Sequence, residues 1–172
     1  MICVDISKCT GCKRCETACA FFHTEQVSNY LSRIKILNLY EIGIDSPVVC
    51  QQCVERYCIN DCSNEALSIG SQGEILVNMD VCSLCSNCEE ACPIGAIQLF
   101  NDEVFVCNLC SGDPECIKAC TEGALSLEFR KENVSLSEFE NTSVKLTPSQ
   151  KRYEYIRKQG IELRKTWREN RA

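Results

Sequence analysis

The sequence has very few of the residues that acid–base or covalent catalysis requires. Its 172 residues include one histidine, His23, and no serine or cysteine nucleophile has a candidate base beside it. Proton transfer near neutral pH most often uses histidine, and an activated nucleophile needs a neighbouring base. We therefore expect no autonomous catalysis of these kinds. For His23 we expect either a structural hydrogen bond or a functional position close to the nearby cysteines or to a partner.

Long apolar runs and a secretory leader are also missing. No apolar stretch approaches the roughly 20 residues that cross a bilayer, so we expect no membrane span. The opening residues, MICVDISKCTGCKRC, contain neither an apolar h-region nor a cleavage site of small residues. We therefore expect a soluble cytoplasmic protein whose thiols are reduced.

Basic residues are scarce outside the C-terminal segment. Residues 148–172 carry eight Lys/Arg and three Glu, a local charge of +5, whereas the first 147 residues carry ten basic and 21 acidic groups, a charge of −11. Binding of nucleic acid requires clustered Lys and Arg to neutralise phosphates. The acidic body therefore argues against a nucleic-acid surface.

Cysteine, by contrast, is abundant. The chain has 17 cysteines, far above ordinary globular usage, which indicates a disulfide scaffold or a metal protein. Sixteen of them form four groups that open with C-x2-C and close with C-x3-C. The groups are Cys9, Cys12, Cys15, Cys19; Cys50, Cys53, Cys58, Cys62; Cys82, Cys85, Cys88, Cys92; and Cys107, Cys110, Cys116, Cys120. We expect the remaining Cys3 to be a small buried residue at the start of a strand.

The segments that follow the groups repeat as well. SNEALSI, PIGAIQL and TEGALSL follow the last cysteine of groups two, three and four, and each predicts a short helical turn and then a strand. Hairpin turns are expected at residues 69–73 and 100–102, where Gly, Asn and Asp tolerate positive φ. Such repeats are typical of duplicated units too small to bury their own cores. We expect an α+β fold in which a cofactor replaces the missing apolar volume.

The cysteine spacing favours iron–sulfur clusters. In C-x2-C-x2-C one loop can reach three irons of a cuboidal cluster, and in two-cluster ferredoxins the final cysteine of C-x2-C-x2-C-x3-C-P ligates the other cluster. Groups one and three have this spacing, whereas residues 55–57 and 112–115 lengthen the loops of groups two and four. Structural zinc prefers two pairs separated by a longer loop, and disulfides suit an oxidising compartment. We therefore expect four [4Fe–4S] clusters.

The spacing between groups indicates how they are organised. Groups two and three are separated by one hairpin, as in a compact two-cluster ferredoxin, and we expect them to form an inner unit at 48–99. By elimination, groups one and four form an outer unit from 1–30 and 100–130, so that two bacterial-ferredoxin-like units are nested. The insert between groups one and two contains a strand-like segment, Arg33–Tyr40, in which Ile34 and Ile36 share a face.

The last 42 residues lack cysteine. We expect 131–147 to be a linker or an arm lying on the surface, and 148–172 to be a basic helix beginning near Pro148, with Gly160 costing about 1 kcal/mol. Tyr155, Ile156, Leu163 and Trp167 are apolar anchors on this helix. We expect them to clamp a neighbouring acidic subunit, with folding back onto the chain's own body as the alternative.

Residues 1 to about 130 resemble a known family. The order of the four motifs is similar to that in the polyferredoxin subunits of molybdenum and tungsten oxidoreductases, such as dimethyl sulfoxide reductase and formate dehydrogenase. His23, Ser32-Arg33-Ile34, ERYC in group two and SGDPEC in group four resemble the small electron-transfer subunits of tungsten aldehyde oxidoreductases and carbon monoxide dehydrogenase.

The resemblance implies crossed ligation. It assigns the four clusters to Cys9, Cys12, Cys15 with Cys120; Cys107, Cys110, Cys116 with Cys19; Cys50, Cys53, Cys58 with Cys92; and Cys82, Cys85, Cys88 with Cys62. It also implies a non-catalytic subunit that conducts electrons between a large tungsten or molybdenum pterin subunit and an acceptor such as a ferredoxin. The alternatives are a free-standing polyferredoxin, or a subunit of carbon monoxide dehydrogenase, formate dehydrogenase or hydrogenase. Radical-SAM chemistry needs a cluster iron without a cysteine ligand. Sixteen cysteine ligands for sixteen irons would leave no such iron.

Overall fold

The structure, a computed structural model, describes residues 1–128, 134–140 and 145–170. Within these ranges the strands are β1 (Ile2–Val4), β2 (Lys35–Leu39), β3 (Ile44–Val48), β4 (Leu67–Ile69), β5 (Ile75–Val77), β6 (Gln98–Phe100), β7 (Glu103–Phe105) and β8 (Leu125–Leu127). The helices are α1 (Arg14–Thr24), α2 (Tyr57–Asn60), α3 (Asn87–Ala91), α4 (Glu115–Lys118) and α5 (Pro148–Glu169). This mixture of short strands and short helices confirms the expected α+β class.

The strands form small antiparallel pairs. β2–β3, β4–β5 and β6–β7 are hairpins, whereas β1 pairs with β8, which lies more than 120 residues further along the chain. The two predicted hairpin turns are confirmed, and in the second Asn101 and Asp102 have φ values of 50° and 59°, as a two-residue hairpin loop requires. Cys3 is 6% exposed on β1, where it lies opposite Ser126. The expectation that it is buried on a strand is therefore confirmed.

The prediction of a helical turn after the last cysteine of each group is wrong. The short helices α2, α3 and α4 precede that cysteine, and a tight turn follows it. In each turn the third residue after the cysteine, which is Glu65, Gly95 or Gly123, has positive φ, and its N–H donates to the carbonyl of the cysteine. A residue in this conformation cannot continue a right-handed helix, so the chain reverses and enters the next strand.

Gly95 is the turn residue that packing constrains most. Its φ is +63°, and a Cβ there would lie 2.3 Å from the carbonyl oxygen of Pro148 at the start of α5. Gly123 has the same φ, but a Cβ there would have nothing within 4 Å. We expect Gly95→Ala to destabilise the protein by more than the ~1–2 kcal/mol that positive φ costs an L-residue, because the helix start must also move. Gly123→Ala should show the backbone cost alone.

This comparison is made from the midpoints of anaerobic chemical denaturation of the two variants and the unchanged protein. Equal shifts for the two glycines would contradict the packing argument.

The predicted strand in the insert is confirmed as β2, and β3 completes a hairpin that the pattern did not indicate. Ile34 and Ile36 pack against the same apolar core, which also contains Ile2 and Leu125. The buried Glu16 carboxylate on α1 accepts a hydrogen bond from the Ile36 amide at 2.6 Å. The insert is thus fastened to the helix that carries the last two cysteines of group one.

Helix α5 begins as expected at Pro148. The Thr147 side chain accepts from the Gln150 amide, and the Gln150 side chain accepts from the Thr147 amide, which forms a capping box. None of the described helices, including the 22-residue α5, is long and apolar enough to cross a membrane.

The expectation that α5 clamps another subunit through its apolar anchors is wrong. Tyr155 is 7% exposed and Ile156 is 0% exposed, and both pack on Leu39 and Ile44 of the β2–β3 hairpin. Leu163 and Trp167 pack against the same core. Gly160 faces this hairpin closely, since a Cβ there would lie 3.1 Å from the Ile44 side chain. The helix therefore folds back onto its own body, because burying this apolar stripe is more favourable than leaving it in water.

The described part of the segment between β8 and α5 lies on the body. Leu136 is 2% exposed in the core under α5, and the Val134 carbonyl accepts a hydrogen bond from the Val54 amide at 3.0 Å. Residues 134–140 are therefore a packed arm, while 129–133 and 141–144 of the expected linker lie outside the described residues.

Candidate metal centres

The loop that opens each cysteine group has the same backbone conformation. The second residue after the first cysteine has positive φ in all four groups, at Gly11, Gln52, Leu84 and Leu109. A further residue with positive φ follows the second cysteine, at Lys13, Arg56, Ser86 and Ser111. Alternating conformations of this kind turn successive N–H groups inward to form an anion-binding concavity. The Gly11, Gln52 and Leu109 amides accordingly act to lower the pKa of the first cysteine of their group, against the larger opposing effect of burial.

The sulfur of the last cysteine in each group accepts a backbone hydrogen bond. In groups two, three and four the donor is the alanine four residues later, and the N···Sγ distances are 3.2 Å for Ala66–Cys62, 3.3 Å for Ala96–Cys92 and 3.3 Å for Ala124–Cys120. In group one the last cysteine lies within the continuous helix α1, which provides no such turn. The Arg33 amide donates to the Cys19 sulfur instead, at 3.3 Å.

Cysteines from different groups converge in the folded chain. Within the described residues, three cavities are each lined by the first three cysteines of one group and the last cysteine of another. These are site A (Cys9, Cys12, Cys15, Cys120), site B (Cys107, Cys110, Cys116, Cys19) and site D (Cys82, Cys85, Cys88, Cys62). Cys92 packs against the same apolar cluster as Cys50 and Cys58, and against a second cluster together with Cys53. We call this fourth set site C.

The buried thiols disfavour a bare negative charge. Burial is the main cause that raises the pKa of Cys15, Cys58 and Cys107 to about 12, and the charge of neighbouring groups contributes to that shift. Cys85 differs, since it lies at the surface and the Asn87 amide lowers its pKa. Thiolates crowded into such cavities require positive charge between them, which the irons of a cluster supply when bound.

The donor sets fit an iron–sulfur cluster. Each site offers four sulfur ligands, which is the set that a [4Fe–4S] cluster takes, and inward-facing amides surround them. None of the sixteen grouped cysteines, all of which lie in the described ranges, forms a disulfide. Among the described residues, no three His, Cys, Asp or Glu side chains are arranged to hold a single metal ion.

Neighbouring sites meet at shared apolar clusters. Cys15 of site A and Cys116 of site B are buried in one cluster, and Cys50 of site C packs against it. Cys88 of site D is buried in another cluster, against which Cys50 and Cys58 of site C pack. Site B therefore adjoins sites A and C, and site C adjoins site D.

His23 lies at site B and not beside the three opening cysteines of group one. Its Nε2 is 3.5 Å from the Cys110 sulfur, and burial with the nearby Arg33 lowers its pKa to about 4. His23 and Arg33 both line the site B cavity. The sequence did not indicate that the Arg33 amide donates a hydrogen bond to the Cys19 sulfur. The Ser32-Arg33-Ile34 motif was the one signal that pointed to this segment.

The fold and the sites define an iron–sulfur protein of the ferredoxin class. The 4Fe-4S binding domain family matches residues 75–98, which contain the third cysteine group.

Curated relatives extend over most of the chain. It is 36% identical over 118 residues to the polyferredoxin-like subunit of an aliphatic sulfonate oxidoreductase from Pyrococcus furiosus, a match that covers 67% of this chain and 68% of that protein. It is 36% identical over 150 residues to a ferredoxin of Methanocaldococcus jannaschii, with 83% and 82% covered. It is 31% identical over 163 residues to the electron transport protein HydN of Escherichia coli, with 79% and 91% covered. The chain belongs to this family of polyferredoxin-type iron–sulfur electron-transport proteins.

Proposed function

We propose that this chain is an electron-transfer subunit that holds four [4Fe–4S] clusters. It conducts electrons between a catalytic subunit of the tungsten or molybdenum pterin type, such as an aldehyde oxidoreductase, and an external acceptor such as a ferredoxin. The observation that carries the proposal is the convergence of the last cysteine of each group with three cysteines of another. That arrangement supports cluster binding because it matches the crossed ligation of two-cluster ferredoxins.

Sites A, B, C and D would each hold one cluster through their four cysteines. When bound, such a cluster exchanges one electron at a time. The amides that donate to Cys19, Cys62, Cys92 and Cys120 stabilise negative charge on those sulfurs, and hydrogen bonds of this kind help to set the potential. The contacts between cysteines of neighbouring sites support passage of electrons from one site to the next.

We also propose that the sites are arranged in two nested units, an outer one from 1–30 and 100–130 and an inner one at 48–99. The pairing of β1 with β8 supports the outer unit, since it joins the two parts that the inner unit separates. The β4–β5 hairpin lies wholly within the inner unit. The β6–β7 hairpin crosses the boundary between residues 99 and 100, so the two units share this element.

Exposed aromatic residues favour a subunit over a free-standing polyferredoxin. Phe21, Phe22 and Tyr30 are 58%, 52% and 69% exposed, and Phe100 stacks on Tyr30 with ring centroids 5.5 Å apart. Aromatic residues are enriched where proteins contact one another, and this aromatic patch offers such a contact to a catalytic subunit. The sulfonate oxidoreductase subunit among the relatives supports the same assignment. Subunits of carbon monoxide dehydrogenase, formate dehydrogenase or hydrogenase are alternatives within this class.

The cluster content can be measured directly. We expect the anaerobically purified chain to contain about sixteen irons and about sixteen acid-labile sulfides, with broad visible absorption that dithionite bleaches. Stoichiometric zinc without labile sulfide would contradict the proposal. Purification of the tagged chain from its native cells should also yield a large subunit that contains tungsten or molybdenum. Its absence at every ionic strength would favour the free-standing carrier.

A further inference from the structure

An exposed apolar surface lies beside site D. Met79 and Val81, which precede the first cysteine of that site, are 41% and 46% exposed. Two of the chain's cysteines are themselves exposed, and one of them is Cys85 of site D. Electron transfer between proteins requires the redox centre of one to come close to the surface of the other. Site D therefore has an accessible edge with apolar contact area next to it.

Acidic side chains surround this edge. The Asn64 side chain donates to the Val81 carbonyl at 3.1 Å, and the Asn78 amide donates to the Ala66 carbonyl at 2.8 Å. These bonds hold the segment after α2 against the segment before site D. We define the acidic face as the exposed residues that the two segments bring together, which are Glu65, Met79, Asp80 and Val81.

The stretch of chain that carries the face is acidic. Residues 57–117 contain ten Asp/Glu and no Lys, Arg or His. Within the described part of the chain, Glu65 and Asp80 form no ion pair, whereas Glu90 is paired with Lys145 at 2.7 Å. The basic residues Lys151 and Lys158 of α5 line a cleft with Glu90 and not the cavity of site D. The acidic face thus keeps its charge available.

We propose that the acidic face docks a redox protein whose contact surface is basic, and that electrons pass to or from this partner at site D. The inference rests on the proposed function and names the chemistry of the external partner. The two carboxylates beside an apolar centre steer a cationic surface towards Cys85, and Met79 and Val81 then make the short-range contact.

A second copy of this chain is the competing occupant. The other exposed cysteine, Cys12 of site A, lies near Lys8, Lys13 and Arg14. That basic end could meet the acidic face head to tail, which would appear as salt-sensitive oligomers of the protein alone.

The test uses the full-length holoprotein and cytochrome c, a basic redox protein, as the probe. The double variant Glu65→Gln/Asp80→Asn is compared with Glu154→Gln/Glu169→Gln, which removes the same charge from α5. Binding to oxidised cytochrome c is measured by calorimetry, and the rate of its reduction by stopped flow, at several ionic strengths. Iron content and the rate of reaction with ferricyanide, a small acceptor, are measured for every preparation.

At low salt we expect Glu65→Gln/Asp80→Asn to bind cytochrome c about tenfold more weakly and to reduce it about tenfold more slowly, and the control to stay within about twofold of the unchanged protein. Ferricyanide rates and iron content should be the same for all three. The docking proposal would be overturned by equal losses in the two variants, by rates that do not depend on salt, or by salt-sensitive self-association. In each of these cases, preparations with intact clusters would still support the proposed function. Preparations without iron would instead overturn the proposed function.

Discussion

Cys120→Ser should remove or alter the cluster at site A and leave site B largely intact, although Cys120 belongs to the same sequence group as the cysteines of site B. The reason is that Cys120 lines the site A cavity with Cys9, Cys12 and Cys15. We expect the iron content to fall from about sixteen to about twelve per chain, because a cluster that loses a thiolate ligand is readily lost.

Electron paramagnetic resonance of the reduced protein identifies which site has changed. The spectrum of Cys120→Ser should match that of Cys12→Ser and differ from that of Cys110→Ser. Cys3→Ser is the matched control, since Cys3 is buried on β1 and belongs to none of the four sites, and it should retain all the iron. A Cys120→Ser spectrum that matches Cys110→Ser would show that each group closes on its own cluster.

Ile156→Ala should strongly destabilise the protein, although it lies in a segment far from every cysteine group in sequence. Ile156 is 0% exposed between α5 and the β2–β3 hairpin, and truncation of a buried isoleucine to alanine costs about 2–5 kcal/mol. Truncation after Thr147 should have a larger effect of the same kind, since it uncovers the whole core beneath α5. We expect both changes to lower the midpoint of anaerobic denaturation and to speed the release of iron.

Ile69→Ala provides the matched control, because Ile69 is 54% exposed at the end of β4 and its truncation should change the midpoint little. If the truncated chain kept the midpoint and the full iron content of the unchanged protein, α5 would be an appendage and not part of the core.

The local features were predictable because they depend on residues close together in sequence. Cysteine spacing, the two hairpin turns, β2 and the start of α5 at Pro148 all follow from short patterns whose physical cause lies within a few residues. The position of the short helices was misjudged. The alanine-containing repeats SNEAL, PIGAI and TEGAL suggested helix, but α2, α3 and α4 end before the last cysteine of their groups, and positive φ at Glu65, Gly95 and Gly123 makes each repeat a tight turn.

The sequence by itself determined that this chain is a ligand framework for iron–sulfur clusters, because sixteen thiols at these spacings can form loops around a metal group without reference to the rest of the fold. Only the tertiary structure decided which loops face each other, that His23 and the Arg33 amide lie at site B, and that α5 covers its own core. These outcomes depend on contacts between residues up to about 120 positions apart, such as the β1–β8 pairing. Their energies arise from burial and packing that no short pattern contains.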